Sequence, residues 1–185
     1  MSAADYFKNY FTTIDLKTRS VDFEQLKQCA SLIQQTHLKG RKLFIVGNGG
    51  SAAMASHLTV DFLKSAKIRA MNFNEADLIT CFSNDYGYEH WVEKAVEFYG
   101  DKGDVFIGYS TSGQSPNVLL GFEEAQQRNI KTIGLTGKRD GAMRELCDYL
   151  IEVPSLETAK IQEGHLVLGH IICGLVEQAI FKVAE

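Results

Sequence analysis

The 185-residue chain predicts an α/β fold: a five-stranded, mainly parallel sheet with helices on both faces and further helices at the N-terminus. Three observations carry that prediction. Short apolar runs rich in β-formers alternate with longer helix-forming segments, the pattern of parallel strands joined by crossover helices. Two loops of small residues, Gly47-Asn48-Gly49-Gly50-Ser51 and Ser110-Thr111-Ser112-Gly113-Gln114-Ser115, each follow such a run and each open a helix. No repeat, low-complexity tract or linker breaks the chain, and its two prolines stand at element boundaries, so residues 1–185 read as one domain.

The chain opens with helices predicted over 3–14 and 22–38, the second stopped by Gly40. Lys42-Leu43-Phe44-Ile45-Val46 is short and apolar and predicts a strand over 42–46, while Ala52-Ala53-Met54-Ala55 favours helix, predicted over 51–65. A strand over 68–72 and helices over 75–82 and 88–99 follow. Asp104-Val105-Phe106-Ile107-Gly108-Tyr109 predicts the third strand, and Ser115 before Pro116 supplies the N-cap and first position of a helix over 116–128. Next come a strand over 131–135, a short helix over 141–146 and a strand over 149–153. The last helix, 158–182, is apolar on most sides through Leu166-Val167-Leu168-Gly169 and Ile171-Ile172-Cys173-Gly174-Leu175-Val176. A helix of that kind is buried from several directions. Gly169 and Gly174 admit another helix closely, and in a chain this short a second subunit is the expected neighbour.

Composition narrows the function. With 45% hydrophobic and 23% charged residues the chain is an ordinary globular protein, and a net charge of -4 without a dense basic run excludes a dedicated nucleic-acid surface. Cys29, Cys81, Cys147 and Cys173 are widely spaced in apolar segments with no C-x-x-C pair, which predicts buried thiols rather than disulfides or zinc ligands. The N-terminal segment lacks a signal-peptide apolar core, and no stretch reaches the roughly 20 apolar residues of a bilayer span. A cytoplasmic protein with no membrane partner is the expectation.

Small residues at a helix N-terminus present free backbone N–H groups and hydroxyls to an anion, so the two loops predict a phosphorylated small-molecule ligand at the carboxyl ends of parallel strands. His57 and Asp61 stand four apart on the helix that the first loop opens and share a face. An imidazole and a carboxylate at that spacing suit a metal, or a base with its orienting partner, or a plain surface pair. On the last helix Gln162 and His170 lie within about 80° of each other but roughly 12 Å apart along the axis, which lets them line one cleft. His165 reads as an internal hydrogen-bonding residue. Asn84-Asp85-Tyr86-Gly87 reads as a turn that could also offer Asn84 and Asp85 to sugar hydroxyls. Gly47, Gly49 and Ala52 fit G-x-G-x-x-A, but the next strand ends without the acidic residue a dinucleotide site needs.

Taken together, G-N-G-G-S, S-T-S-G-x-S, L-T-G-K and the I-Q-E-x-H helix resemble the sugar isomerase (SIS) domain, and nearly the whole chain resembles the phosphoheptose isomerase family. That resemblance implies a flavodoxin-like three-layer sandwich. The implied activity interconverts D-sedoheptulose 7-phosphate and D-glycero-D-manno-heptose 7-phosphate for surface-polysaccharide precursors. It implies that Asn48, Gly49, Gly50, Ser51, Asn84, Asp85, Ser110, Thr111, Ser112 and Ser115 meet the substrate, with Asp61 and Gln162. Asp61 and His170 would be the catalytic acid-base pair. His57, Asp61, Gln162 and His170 would hold one Zn2+ per subunit. A homotetramer with sites at subunit junctions is implied, with residues 1–40 packing on the domain and on other subunits. The chain departs from the family at Asp61, usually Glu, at Ala159, usually Asp, and in its shorter 64–69 segment. A non-catalytic relative, either a sugar-phosphate sensor or an adaptor of the replication initiator, is the alternative, and such a protein has no need of His170.

Overall fold

The computed structural model describes residues 1–137 and 141–181. Five strands, β1 (Leu43–Gly47), β2 (Ala70–Met71), β3 (Val105–Ser110), β4 (Lys131–Gly137) and β5 (Tyr149–Val153), form one all-parallel sheet in the order β2-β1-β3-β4-β5. Among the described residues eight α-helices surround it: α1 (Ala3–Arg19), α2 (Phe23–Leu38), α3 (Gly50–Lys64), α4 (Ala76–Tyr86), α5 (Trp91–Tyr99), α6 (Pro116–Gln127), α7 (Met143–Leu146) and α8 (Thr158–Phe181). Strand order reverses between β1 and β3, which places a crevice beyond their carboxyl ends.

Side chains alternate across a strand, and each central strand therefore feeds two cores. Leu43, Ile45, Val105 and Ile107 point to one face, where Ile33 of α2, Leu58 of α3 and Leu168 and Ile172 of α8 cover them. Phe44, Val46 and Phe106 point to the other, against Trp91 and Val92 of α5 and Val118 and Phe122 of α6. The expected sheet with helices on both faces is present.

Several expectations change. The first helix continues to Arg19, started by a capping box in which Ser2 and Asp5 bond each other's backbone N–H groups, and it buries none of its residues within the chain. The strand expected over 68–72 shrinks to Ala70–Met71, because Lys67 takes a positive φ of 56° and Ile68 N–H bonds the α3 carbonyl of Phe62 instead of a sheet neighbour. The turn read at Asn84-Asp85 is helix: α4 runs to Tyr86 and stops at Gly87, whose φ of 98° no helix accommodates. Of the cysteines expected inside, Cys29 and Cys173 are buried, Cys147 is half-buried and Cys81 is exposed on α4. All are free, and burial pushes the Cys29 thiol up to about 12. Contrary to the length expectation, α8 is 24 residues long and holds an 18-residue window with a mean hydropathy of 1.4, enough to cross a membrane by length and composition. Here Ile161, Leu168, Ile172 and Val176 of that helix lie in the core beneath the sheet. Its Gly169 lies against Leu58 of α3 as a close-approach glycine should, whereas a Cβ on Gly174 would meet no other described residue within 4 Å. Lys138 of the L-T-G-K motif lies outside the described residues.

Candidate active site

The first loop turns β1 into α3 through Gly49, which caps the helix at φ 54° and ψ -121°, a conformation that side chains rarely adopt. Around it there is no room for a Cβ: one on Gly47 would lie 2.7 Å from the Ser51 backbone, and one on Gly50 would lie 2.6 Å from the Gln162 side-chain nitrogen. Gln162 of α8 is thus seated on the first loop.

The second loop leaves β3 at Ser110 and reaches α6 at its N-cap, Ser115. Ser110 Oγ lies 3.0 Å from Ser115 Oγ and 3.4 Å from Ser112 Oγ, so three hydroxyls converge at the helix N-terminus. Ser115 makes no side-chain cap to α6, and Pro116 has no N–H to cap. The result is a cluster of donors at the positive end of a helix, suited to a phosphate.

An amide pair locks the loops together. Asn48 Nδ2 donates to Asn117 Oδ1 at 2.9 Å, Asn117 Nδ2 donates back to Asn48 Oδ1 at 2.9 Å, and the Tyr88 hydroxyl adds a bond to the same Oδ1 at 3.2 Å. Asn117 is buried on α6. Neither Asn117 nor Tyr88 stands out in the sequence, since a polar residue one place after a helix-starting proline carries no signal of its partner 69 residues away.

About two turns along α3, His57 and Asp61 meet His170 of α8. The two Nε2 atoms lie 2.9 Å apart, and Asp61 Oδ2 is 3.3 Å from that of His57 and 3.2 Å from that of His170. A metal ion bound tetrahedrally at about 2.0–2.1 Å spaces its donor atoms about 3.3 Å apart. Two imidazole nitrogens and a carboxylate oxygen with these edges form a possible metal-binding group. The side chains of His57 and His170 are about half exposed and Asp61 is 28% exposed, which leaves the group open to a ligand.

Asn84 and Asp85 remain apart from this set. They bond each other at 2.8 Å on the exposed end of α4, and among the described residues no hydrogen bond ties them to either loop. His165 is buried as expected: its Nε2 bonds the Thr136 carbonyl at 3.0 Å, and burial pulls its pKa down to about 4, so the ring is neutral.

Comparison with known proteins gives the family and the fold. The SIS domain family model matches residues 6–137. The chain is 50% identical over 149 residues to a phosphoheptose isomerase of Burkholderia pseudomallei (strain 1710b), covering 77% of this chain and 76% of that one. It is 40% identical to the phosphoheptose isomerase of Aneurinibacillus thermoaerophilus over 96% of both. The structure of a phosphoheptose isomerase from Francisella tularensis superposes with a TM-score of 0.89 at 29% identity, covering 96% of this chain and all of the other.

Proposed function

The chain belongs to the phosphoheptose isomerase family of SIS-domain proteins, and we propose that it converts D-sedoheptulose 7-phosphate to D-glycero-D-manno-heptose 7-phosphate in the cytoplasm, supplying heptose for surface polysaccharide. It is a sugar-phosphate isomerase. The observation that carries the assignment is the meeting of His57, Asp61 and His170, drawn from two helices, one of them opened by a loop that also seats Gln162.

The second loop holds the phosphate through Ser110, Thr111, Ser112 and Ser115, far from the reacting carbons, and so fixes the orientation of the sugar. Asn48, Gly49, Gly50 and Ser51 meet the sugar chain, with Asn84 and Asp85 reaching its hydroxyls from the end of α4. Isomerisation moves a proton between C1 and C2 through an enediol. Asp61 takes the C1 proton and returns it to C2, while His170 moves a proton from the C1 hydroxyl to the C2 oxygen. Asp61 Oδ2 faces both imidazoles, which leaves Oδ1 for the substrate. The shorter Asp in place of the family's Glu therefore still reaches its partners. Nothing in the structure explains Ala159. His57, Asp61, Gln162 and His170 would hold one Zn2+, which when bound polarises the carbonyl and favours the enediolate.

A homotetramer completes the reading. Phe7, Phe11 and Leu16 of α1 are more than half exposed, and a groove of about 630 Å³ between α1 and α8 is lined by Phe11, Ile14, Val167 and Ile171. The non-catalytic alternative has no use for His170, which here completes the donor set.

Incubating metal-replete protein with sedoheptulose 7-phosphate and following aldose formation by NMR tests the activity. Asp61→Asn and His170→Gln are expected to abolish turnover while calorimetry still detects sugar-phosphate binding. Full turnover by both variants would overturn the assignment.

A further inference from the structure

One peptide unit stands between the phosphate loop and α8. The carbonyl of Thr136, at the end of β4, accepts from His165 Nε2 at 3.0 Å, while the N–H of the same peptide, on Gly137, donates to the Thr111 carbonyl at 3.2 Å. In a trans peptide these two groups point in opposite directions, so the unit bridges its neighbours and each bond polarises the other. Ile161, one turn before His165, packs on the same spot: a Cβ on Gly137 would overlap its Cδ1 and come within 2.8 Å of the Thr111 carbonyl. Gly137 therefore lies close to both α8 and the phosphate loop. Gln162 and His170 ride on this same helix, α8.

We propose that His165 is a positioning residue that, through the Thr136–Gly137 peptide, sets the distance between the phosphate loop and the helix bearing Gln162 and His170. This rests on the isomerase reading above. A sugar phosphate must span both elements, and misplacing one by about an ångström costs on the order of 100-fold in rate. The loop itself has independent supports, namely its own serine hydrogen bonds and the Met143 N–H on the Gly113 carbonyl. Inorganic phosphate touches the loop alone and is indifferent to the bridge.

The test compares wild type, His165→Phe and His165→Gln. Phe keeps the edge contact of the ring with Tyr109 and removes the donor, whereas Gln places an N–H near the position of Nε2. Calorimetry gives Kd for inorganic phosphate and for sedoheptulose 7-phosphate, and NMR gives kcat. Expected for H165F is a phosphate Kd within about twofold of wild type, a sugar-phosphate Kd about tenfold weaker and a kcat roughly 10- to 100-fold lower. H165Q is expected within about threefold of wild type in all three. If H165F does not fold, His165→Asn, whose amide falls short of Thr136, takes its place. Unchanged sugar-phosphate binding and kcat in the donor-less variant would overturn the proposal, as would parallel loss of both ligands or equal impairment of H165Q. A wild type that binds the sugar phosphate without converting it removes the isomerase reading, and the two binding constants still decide the role of His165.

Discussion

At the scale of single residues, three histidines in one small domain take different parts because their surroundings differ. His57 and His170 are half exposed against a carboxylate, whereas His165 is sealed in the core with one backbone acceptor. Burial lowers the folded pKa of His165 from 6.5 to about 4, so between these values the unfolded chain binds a proton that the folded chain refuses. Stability falls as pH drops from 6.5 toward 4, by up to about 1.4 kcal/mol per pH unit, and above 6.5 the ring is neutral in both states and contributes no slope. Urea unfolding from pH 7 to 4.5 should show that slope in wild type and lose about one proton of it in His165→Gln. Metal removal reports on the exposed pair. Chelated protein is expected to lose turnover and to regain it with Zn2+. Added Zn2+ should raise the melting temperature of wild type, by about 2.7 kcal/mol of stabilisation at one hundred times its Kd, but not that of His57→Ala. The i,i+4 spacing of His57 and Asp61 was legible in the sequence. That His170, 113 residues away, would reach them was not legible from spacing and came from family resemblance alone.

At the scale of elements, the alternation of apolar and polar segments placed the strands to within a few residues wherever a strand lies inside the sheet. It failed at one edge, β2, and held at the other, β5. β2 is two residues long because the backbone around Lys67 diverts its N–H groups to α3, a local choice that hydrophobic pattern does not report. Likewise Asn84 and Asp85 have turn propensity yet sit in α4, since Leu78, Ile79 and Phe82 of that helix pack on the second core and carry the helix past them. Close packing between elements gives a sharper prediction. Gly121 of α6 faces Val92 of α5, and a Cβ there would overlap Val92 Cγ1 and come within 3.0 Å of Phe106. Gly121→Ala raises helix propensity by about 1 kcal/mol yet forces α5 and α6 apart, so it should lower stability by about 1–3 kcal/mol in urea melts. An increase in stability would show that the two helices can separate freely.

At the scale of the whole molecule, no residue of α1 is fully buried, Phe7, Phe11 and Leu16 are exposed, and a Cβ on Gly174 of α8 would meet no other described residue within 4 Å. Light scattering is expected to give about four times the chain mass of 20.6 kDa. Phe11→Asp should lower that mass without changing helix content, because Phe11 is 61% exposed in the single chain. A tetramer that survives the substitution would place the contact elsewhere. The sequence by itself determined the α/β class, the two loops at strand ends, the helix starts and the His57–Asp61 face, because propensity, capping and periodicity act over a few neighbouring residues. The tertiary structure alone decided that α8 crosses back to set His170 on that face, that Gln162 seats on Gly50, that Asn117 clasps Asn48 and that His165 grips the peptide behind the phosphate loop. Those contacts join residues 29 to 113 positions apart, and only the order in which parallel strands assemble into a sheet brings them together.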